Sequence, residues 1–315
     1  MPAISVIVPI FNEEDNIKLL QERLSIVLHQ LVQEDFEILY INDGSKDASI
    51  NIIKSLAEYD SKIKYLDFSR NFGHQNAVFA GMEYSTGDVV VIIDADLQDP
   101  PEVIRPLYEK LLSGYDVVYA QRELRKGESW LKLATAKYFY LLINRLSDVA
   151  IPLDTGDFRI MTRRVCKTVC QMPERNKFLR GEIAWTGFEQ GAIFYERQNR
   201  HAGETKYSYS KMFKFAMDGI SGFSNLPLKM ATWLGFITAG IAVLMFVRTL
   251  YVRLFTNDFV VGWTSMMVTI LFLGGVQLIC IGILGEYIGR VLDNVKGRPS
   301  YIIKDTNIKP TSQLD

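Results

Sequence analysis

No G-x-G-x-x-G follows the first apolar run of this 315-residue chain, and no G-x-x-x-x-G-K-[ST] occurs in it. Neither the dinucleotide fingerprint nor the P-loop is available, so any phosphate must be neutralised another way. Histidine is scarce: His29, His74 and His201 are scattered, which leaves no visible histidine-based metal site or Ser/His/Asp triad. Cysteine is limited to Cys166, Cys170 and Cys280. The first two stand one helical turn apart and the third lies in an apolar run, a pattern of buried thiols in a reducing compartment and not of a disulfide framework. An excess of either charge is also missing, with 35 Lys+Arg against 36 Asp+Glu. Such a balance does not indicate a bulk electrostatic pull toward nucleic acid, and leaves room only for a local basic patch. The opening MPAISVIVPIF has no basic n-region and no small-residue cleavage site, so it reads as a β-strand that stays in the cytosol and not as a signal peptide.

Charge itself is absent from two stretches, 231–247 and 263–285. A spanning helix needs about 20 apolar residues, and neither run shows the polar stripe of a soluble helix. Two transmembrane helices are expected, at about 230–252 and 263–287, within a membrane unit 229–289. Lys206, Lys211, Lys214 and Lys229 precede the first span, and Arg290, Lys296, Arg298 and Lys304 follow the second. The positive-inside rule puts both the N-terminal unit, 1–205, and a C-terminal tail, 290–315, in the cytosol of an integral plasma- or inner-membrane protein. Between them, 206–228 holds Tyr209, Met212, Phe213, Ala216, Met217, Ile220 and Phe223 at helical spacing. That face suits an amphipathic helix in the headgroup layer or one packed on the first unit. Gly285 and Gly289, four apart, would let helices approach closely, as a homo-oligomer would use.

The first unit alternates strand and helix. Apolar runs at Ile4–Ile10, 36–43, 63–69, 89–93 and 115–122 are separated by helical spacings at 17–31, 48–59, 75–84 and 102–112. Short alternation with nearly continuous apolar strands predicts an α/β, Rossmann-like domain with a mostly parallel sheet. Ligands of such sheets bind beyond the carboxyl ends of the strands. There the chain turns polar, at Asn12 and Glu13, at Asn42 and Asp43, at Arg70, and at Asp94 and Asp96.

Asp94 and Asp96 end the apolar run DVVVIIDADLQDPP. In an extended segment, residues i and i+2 point the same way, roughly 6.5–7 Å apart. Their repulsion has no Lys or Arg beside it in sequence. A divalent cation, Mg²⁺ or Mn²⁺, would relieve it while keeping positions open for substrate phosphates, and Gln98 adds a carbonyl oxygen. The competing reading is a solvated strand end, with Asp99 capping the next helix ahead of two prolines.

Taken together, VPIFNEEDN, INDGSKD, SRNFGHQNAV, DADLQDPP and RHAGETKYS resemble the inverting glycosyltransferases of family two. The resemblance is to the polyprenyl-phosphate branch, which includes dolichol-phosphate mannose synthases and bactoprenol glucosyltransferases, and the paired spans match the latter. It implies a GT-A type nucleotide-diphospho-sugar transferase fold and a metal-dependent hexosyltransferase. By the same resemblance, Pro9, Phe11, Glu13, Asp43, Arg70 and Asp94 bind the nucleotide sugar, and Asp94, Asp96 and Gln98 hold the metal. Arg122, with Lys126 or Lys137, meets the acceptor phosphate, and Arg200 closes over the diphosphate. T-G-D-F-R at 155–159 matches a sugar- and acceptor-side motif in which Asp157 is an added acid. Its role stays open between positioning the sugar, acting as base and holding the acceptor loop; pairing with Arg159 is the bland alternative.

The expected reaction is inverting transfer of a sugar, glucose by subgroup, from a UDP-sugar donor to a polyprenyl phosphate, undecaprenyl or dolichyl. A GDP-mannose-using synthase is the alternative. A processive polysaccharide synthase would carry Q-x-x-R-W and more spans, and no Arg-Trp pair occurs here. A flippase would want intramembrane charges. An inert nucleotide-binding scaffold would not need the intact acids.

Overall fold

The computed structural model describes residues 3–122, 155–175, 177–196, 226–255 and 262–308. They fall into two units, one built on a sheet and joined again by the chain from Arg298 onward, the other made of two long helices.

In the first unit the expected alternation is present. Strands β1 (Ile4–Ile10), β2 (Phe36–Asn42), β3 (Ile63–Phe68) and β4 (Val89–Ile92) are separated by helices α1 (Ile17–Val32), α2 (Ser49–Tyr59) and α3 (His74–Tyr84). A 3₁₀ turn at Pro101–Val103 leads into α4 (Ile104–Leu112). Then come β5 (Val117–Arg122), β6 (Thr155–Thr162), α5 (Arg163–Cys170), α6 (Leu179–Trp185) and β7 (Gln190–Tyr195). The sheet runs β7-β5-β6-β4-β1-β2-β3-β8, where β8 is Ile303–Thr306. Strands β3, β2, β1 and β4 are parallel neighbours, as are β5 and β7. Strand β6 is inserted antiparallel between β4 and β5, and β8 closes the other edge antiparallel to β3.

Every residue of β1 and β2 is buried, because helices cover both faces. One face packs Val6, Val8 and Tyr40 against Leu20, Leu24 and Leu28 of α1. The other packs Ile7, Leu39 and Ile41 against Ala77, Val78 and Ala80 of α3. Burying one such aliphatic side chain contributes ~1.5–3 kcal/mol.

In the second unit, α7 (Leu226–Phe255) and α8 (Trp263–Val295) contain apolar spans at Leu228–Val252 and Val268–Val295, with mean hydropathy 2.0 and 2.3. Both are long and apolar enough to cross a membrane, and their side chains stand exposed; Leu244, for example, is 71% exposed. The Cys280 thiol donates to the Ala231 carbonyl at 3.7 Å, so the start of α7 lies beside the middle of α8. The sequence ends the second span near 287 and leaves 290–315 as a tail. Instead α8 continues to Val295, its polar end carrying a Glu286–Arg290 pair at i,i+4, and the chain beyond it rejoins the sheet as β8. The expected interfacial segment 206–228 lies outside the described residues up to 225, and α7 begins at Leu226.

Candidate active site

The C-terminal ends of β1, β2, β3 and β4 sit together because those strands are parallel and in register. The loops there are locked to one another by side chains. Asn12 accepts from the Lys46 amide at 2.8 Å, and its own amide donates to Ser45 Oγ at 3.0 Å. The Glu13 amide donates to Ser49 Oγ, and Glu13 Oε2 accepts from Asn16 Nδ2 at 2.7 Å. Pro9 lies within buried β1, with Phe11 just beyond it, half-buried.

Asn42 faces Asp67 across the β2–β3 register and donates to its Oδ1 at 2.7 Å. An acid at 42 would put two buried carboxylates together. Next in the chain, buried Asp43 accepts the Phe72 amide at 2.6 Å and the Gly73 amide at 3.0 Å. Burial nevertheless raises its pKa against the help of those amides. Asp43, expected to bind the nucleotide sugar, thus also shapes the turn into α3. Gly44 (φ +65°) follows because a Cβ there would stand 2.4 Å from the Arg70 carbonyl carbon. Arg70 is exposed, its guanidinium 4.0 Å over the Phe72 ring.

Strand β4 stops at Ile92, so Asp94 lies in the irregular stretch just beyond it and Asp96 in the turn that follows, not together on a strand as expected. The turn is set by Asp96 Oδ1, which accepts the Gln98 amide at 3.1 Å, and by left-handed Leu97 (φ 58°). Asp99, expected as a helix cap, accepts a short hydrogen bond from the Tyr195 hydroxyl, which ties this turn to β7.

Asp94 Oδ1 is buried and has no hydrogen-bond partner. Burial pushes the Asp94 pKa up to about 6; His74 opposes this, and Asp157, Asp99 and Asp96 add to it. The Asp94 side chain is 29% exposed. Among the described residues, no three His, Cys, Asp or Glu side chains gather to hold an ion. The donor set expected from the sequence is two aspartates and an amide, all oxygen, and of these Asp94 Oδ1 is buried without a hydrogen-bond partner. That set fits a divalent cation of the Mg²⁺ type, which takes one or two carboxylates and leaves the rest of its shell to water and substrate phosphates.

A positive group that sequence reasoning missed already stands beside it. His74 Nε2 is 3.6 Å from Asp94 Oδ1 and 3.0 Å from Asp157 Oδ2. Desolvation works against its charge, but Asp94 and Asp157 outweigh that and raise its pKa to about 9, even with 42% of the side chain exposed. Asp157, on β6 and 13% exposed, also accepts Gln75 Nε2 at 3.2 Å and Arg180 Nε at 2.8 Å. Arg159, the partner expected from the sequence, is more distant at 3.9 Å and donates to the carbonyls of Gly156 and Asp157. The structure thus brings Asp94, Asp96, Gln98 and Asp157 into one region and adds His74, Gln75 and Arg180. Only the SRNFGHQNAV motif pointed toward the first two of these additions. Arg122 ends β5 opposite Tyr195 of β7, while Lys126, Lys137 and Arg200 lie outside the described residues.

The Glycosyl transferase family 2 model matches residues 5–170, and the GtrB C-terminal hairpin model matches 226–291. An uncharacterized glycosyltransferase, YkcC, of Bacillus subtilis is 48% identical over 300 residues, covering 95% of this chain and 93% of that protein. The bactoprenol glucosyl transferase of Shigella phage SfII is 44% identical over 304 residues, covering 96% and 98%. A solved glucosyl-3-phosphoglycerate synthase from Mycobacterium tuberculosis, bound to Mn²⁺, UDP-glucose and glycerol 3-phosphate, is similar with TM-score 0.46 and 19% identity over 70% of this chain and 78% of that one. With a family model over more than half its length and such relatives end to end, the chain belongs to glycosyl transferase family 2 and carries a GtrB C-terminal hairpin.

Proposed function

We propose that the protein transfers glucose from UDP-glucose to a polyprenyl phosphate at a membrane surface, inverting the anomeric carbon. The observation that carries this reading is the acidic segment at the carboxyl end of β4, where buried Asp94 Oδ1 has no hydrogen-bond partner, in the same chain as two helices apolar enough to span a bilayer. The relatives named bactoprenol glucosyl transferases support the choice of sugar and acceptor.

Asp94, Asp96 and Gln98 would hold Mg²⁺ or Mn²⁺, which supplies Lewis-acid charge to the diphosphate when bound. Asp43 and the interlocked loops after β1 and β2 fix the floor on which the nucleotide lies. Arg122, Lys126 and Lys137 meet the acceptor phosphate, and Arg200 closes over the diphosphate. An acceptor phosphate oxygen forms the new bond to the anomeric carbon as the bond to the β-phosphate oxygen breaks and UDP leaves. A phosphate is already ionised near neutral pH, so the attack needs no general base. The catalytic unit and both chain ends face the cytosol.

The purified protein, given labelled UDP-glucose, undecaprenyl phosphate and Mn²⁺, should yield organic-extractable, β-linked glucose. Asp94→Ala should cost roughly 100-fold or more in rate, the scale of losing a group that stabilises the leaving charge. Label transfer from GDP-mannose alone would overturn the donor. No lipid-linked sugar from either donor would overturn the function.

A further inference from the structure

Three side-chain donors converge on Asp157. His74 Nε2 and Gln75 Nε2 converge on its Oδ2, and Arg180 Nε on its Oδ1. These groups come from three elements: His74 and Gln75 open α3, Asp157 lies in β6, and Arg180 lies in the first turn of α6. Gln75 ties the assembly further, because its Oε1 accepts the Leu179 amide at 3.1 Å. Behind α6, Lys177 and Glu182 form a buried pair at 3.6 Å, and Lys177 sits 4.0 Å over the Phe79 ring of α3. The start of α6 is thus fixed to α3 from both sides.

We propose that Asp157 is a positioning residue, the common seat of His74, Gln75 and Arg180 beside the acidic turn, and is not the proton acceptor in transfer. A carboxylate offers about four lone-pair sites, and three here already receive donors. Burial would raise its pKa, but Arg180 and His74 hold it well below the usual range, which makes it a poor base. The link to the donor site is short, since the His74 nitrogen on Asp157 also stands 3.6 Å from Asp94. Losing Asp157 would leave His74, Arg159 and Arg180 close together without their shared anion. The proposal rests on a phosphate acceptor, which needs no base, but its test does not require transfer.

The test is a double-mutant cycle on Asp157→Asn, Arg180→Ala and the pair, read by equilibrium binding of UDP with Mn²⁺ and by transfer kinetics. Residues acting as a unit are non-additive. Both single variants should weaken UDP–Mn²⁺ binding, and the pair should fall short of the product of the two losses by about tenfold. Wild-type binding in Asp157→Asn, with loss confined to kcat, would overturn the proposal. So would multiplicative losses. If Asp157→Asn does not fold, Arg180→Lys decides: it keeps the charge but moves the donor from Nε, so a seat requires weaker UDP–Mn²⁺ binding, and a base at Asp157 requires wild-type binding. Absence of lipid glucosylation by the wild type would overturn the function above while leaving the binding cycle readable.

Discussion

Glu37 shows at residue scale how this fold tolerates an acid in its interior. It is 2% exposed, at the start of β2, yet Oε1 accepts Ser5 Oγ at 2.6 Å, the Thr86 amide at 2.7 Å and Thr86 Oγ1 at 2.9 Å, and Oε2 pairs with Lys64. Desolvation raises its pKa, but Lys64, Ser5 and Thr86 more than compensate, so the net shift is downward from 4.5. A folded pKa below the unfolded one contributes stability that is present above 4.5 and lost as pH falls through the folded value. Glu37→Gln should therefore cost ~1–3 kcal/mol near neutral pH, since it strands donors and frees Lys64. Melting curves of wild type and variant should converge as the pH is lowered below 4.5; a constant gap would assign the loss to shape and not to charge. The same scale explains which site residues could be read in advance. Asp94, Asp96 and Gln98 are neighbours in sequence, so their spacing carried the signal. His74 and Asp157 are 83 positions apart, and only the insertion of β6 beside β4 joins them.

Strand β8 is the element whose role was least visible in the chain. Its sequence, IKDT, has no apolar run, and as an antiparallel edge it needs only one buried face. The parallel strands were legible because burial on both faces demands unbroken apolar runs; β6, TGDFRIMT, was hidden because its polar start resembled a loop motif. What holds β8 is side-chain chemistry. Tyr301 stacks on Phe68 with ring centroids 5.1 Å apart, and its hydroxyl donates to Glu83 at 2.6 Å. Thr306 Oγ1 donates to the Tyr65 carbonyl, Asn307 exchanges bonds with Tyr65 and Ile63, and Lys54 pairs with Asp305 at 2.5 Å. Tyr301→Ala removes a partly buried ring and leaves Glu83 without its hydroxyl, at an expected ~1–3 kcal/mol. A lower melting temperature of the catalytic unit, with the helices intact by circular dichroism, would bear this out; an unchanged one would make β8 dispensable. A deletion of 229–315 removes β8 with the spans, so any test of the spans alone must retain it.

For the whole molecule, the pairing of β8 with β3 constrains how the chain meets a bilayer. Strands β1 to β7 precede α7 in the chain, and β8, which follows α8, pairs with β3 of the same sheet. A chain whose two ends share one sheet must cross a membrane an even number of times, and α7 and α8, both long and apolar enough to span, would make two crossings. With Lys206, Lys211, Lys214 and Lys229 on one flank and Arg290, Lys296, Arg298 and Lys304 on the other, the positive-inside rule predicts that the shared side is the cytosolic one. With Cys166, Cys170 and Cys280 replaced by alanine, Asn257→Cys between the helices should react with an impermeant maleimide added to intact cells. Lys304→Cys in exposed β8 should react only after permeabilisation. The reverse pattern would turn the protein over without disturbing the hairpin. Equal labelling of the two sites from one side would mean that α7 and α8 do not span, and would leave the site without a bilayer to deliver its acceptor.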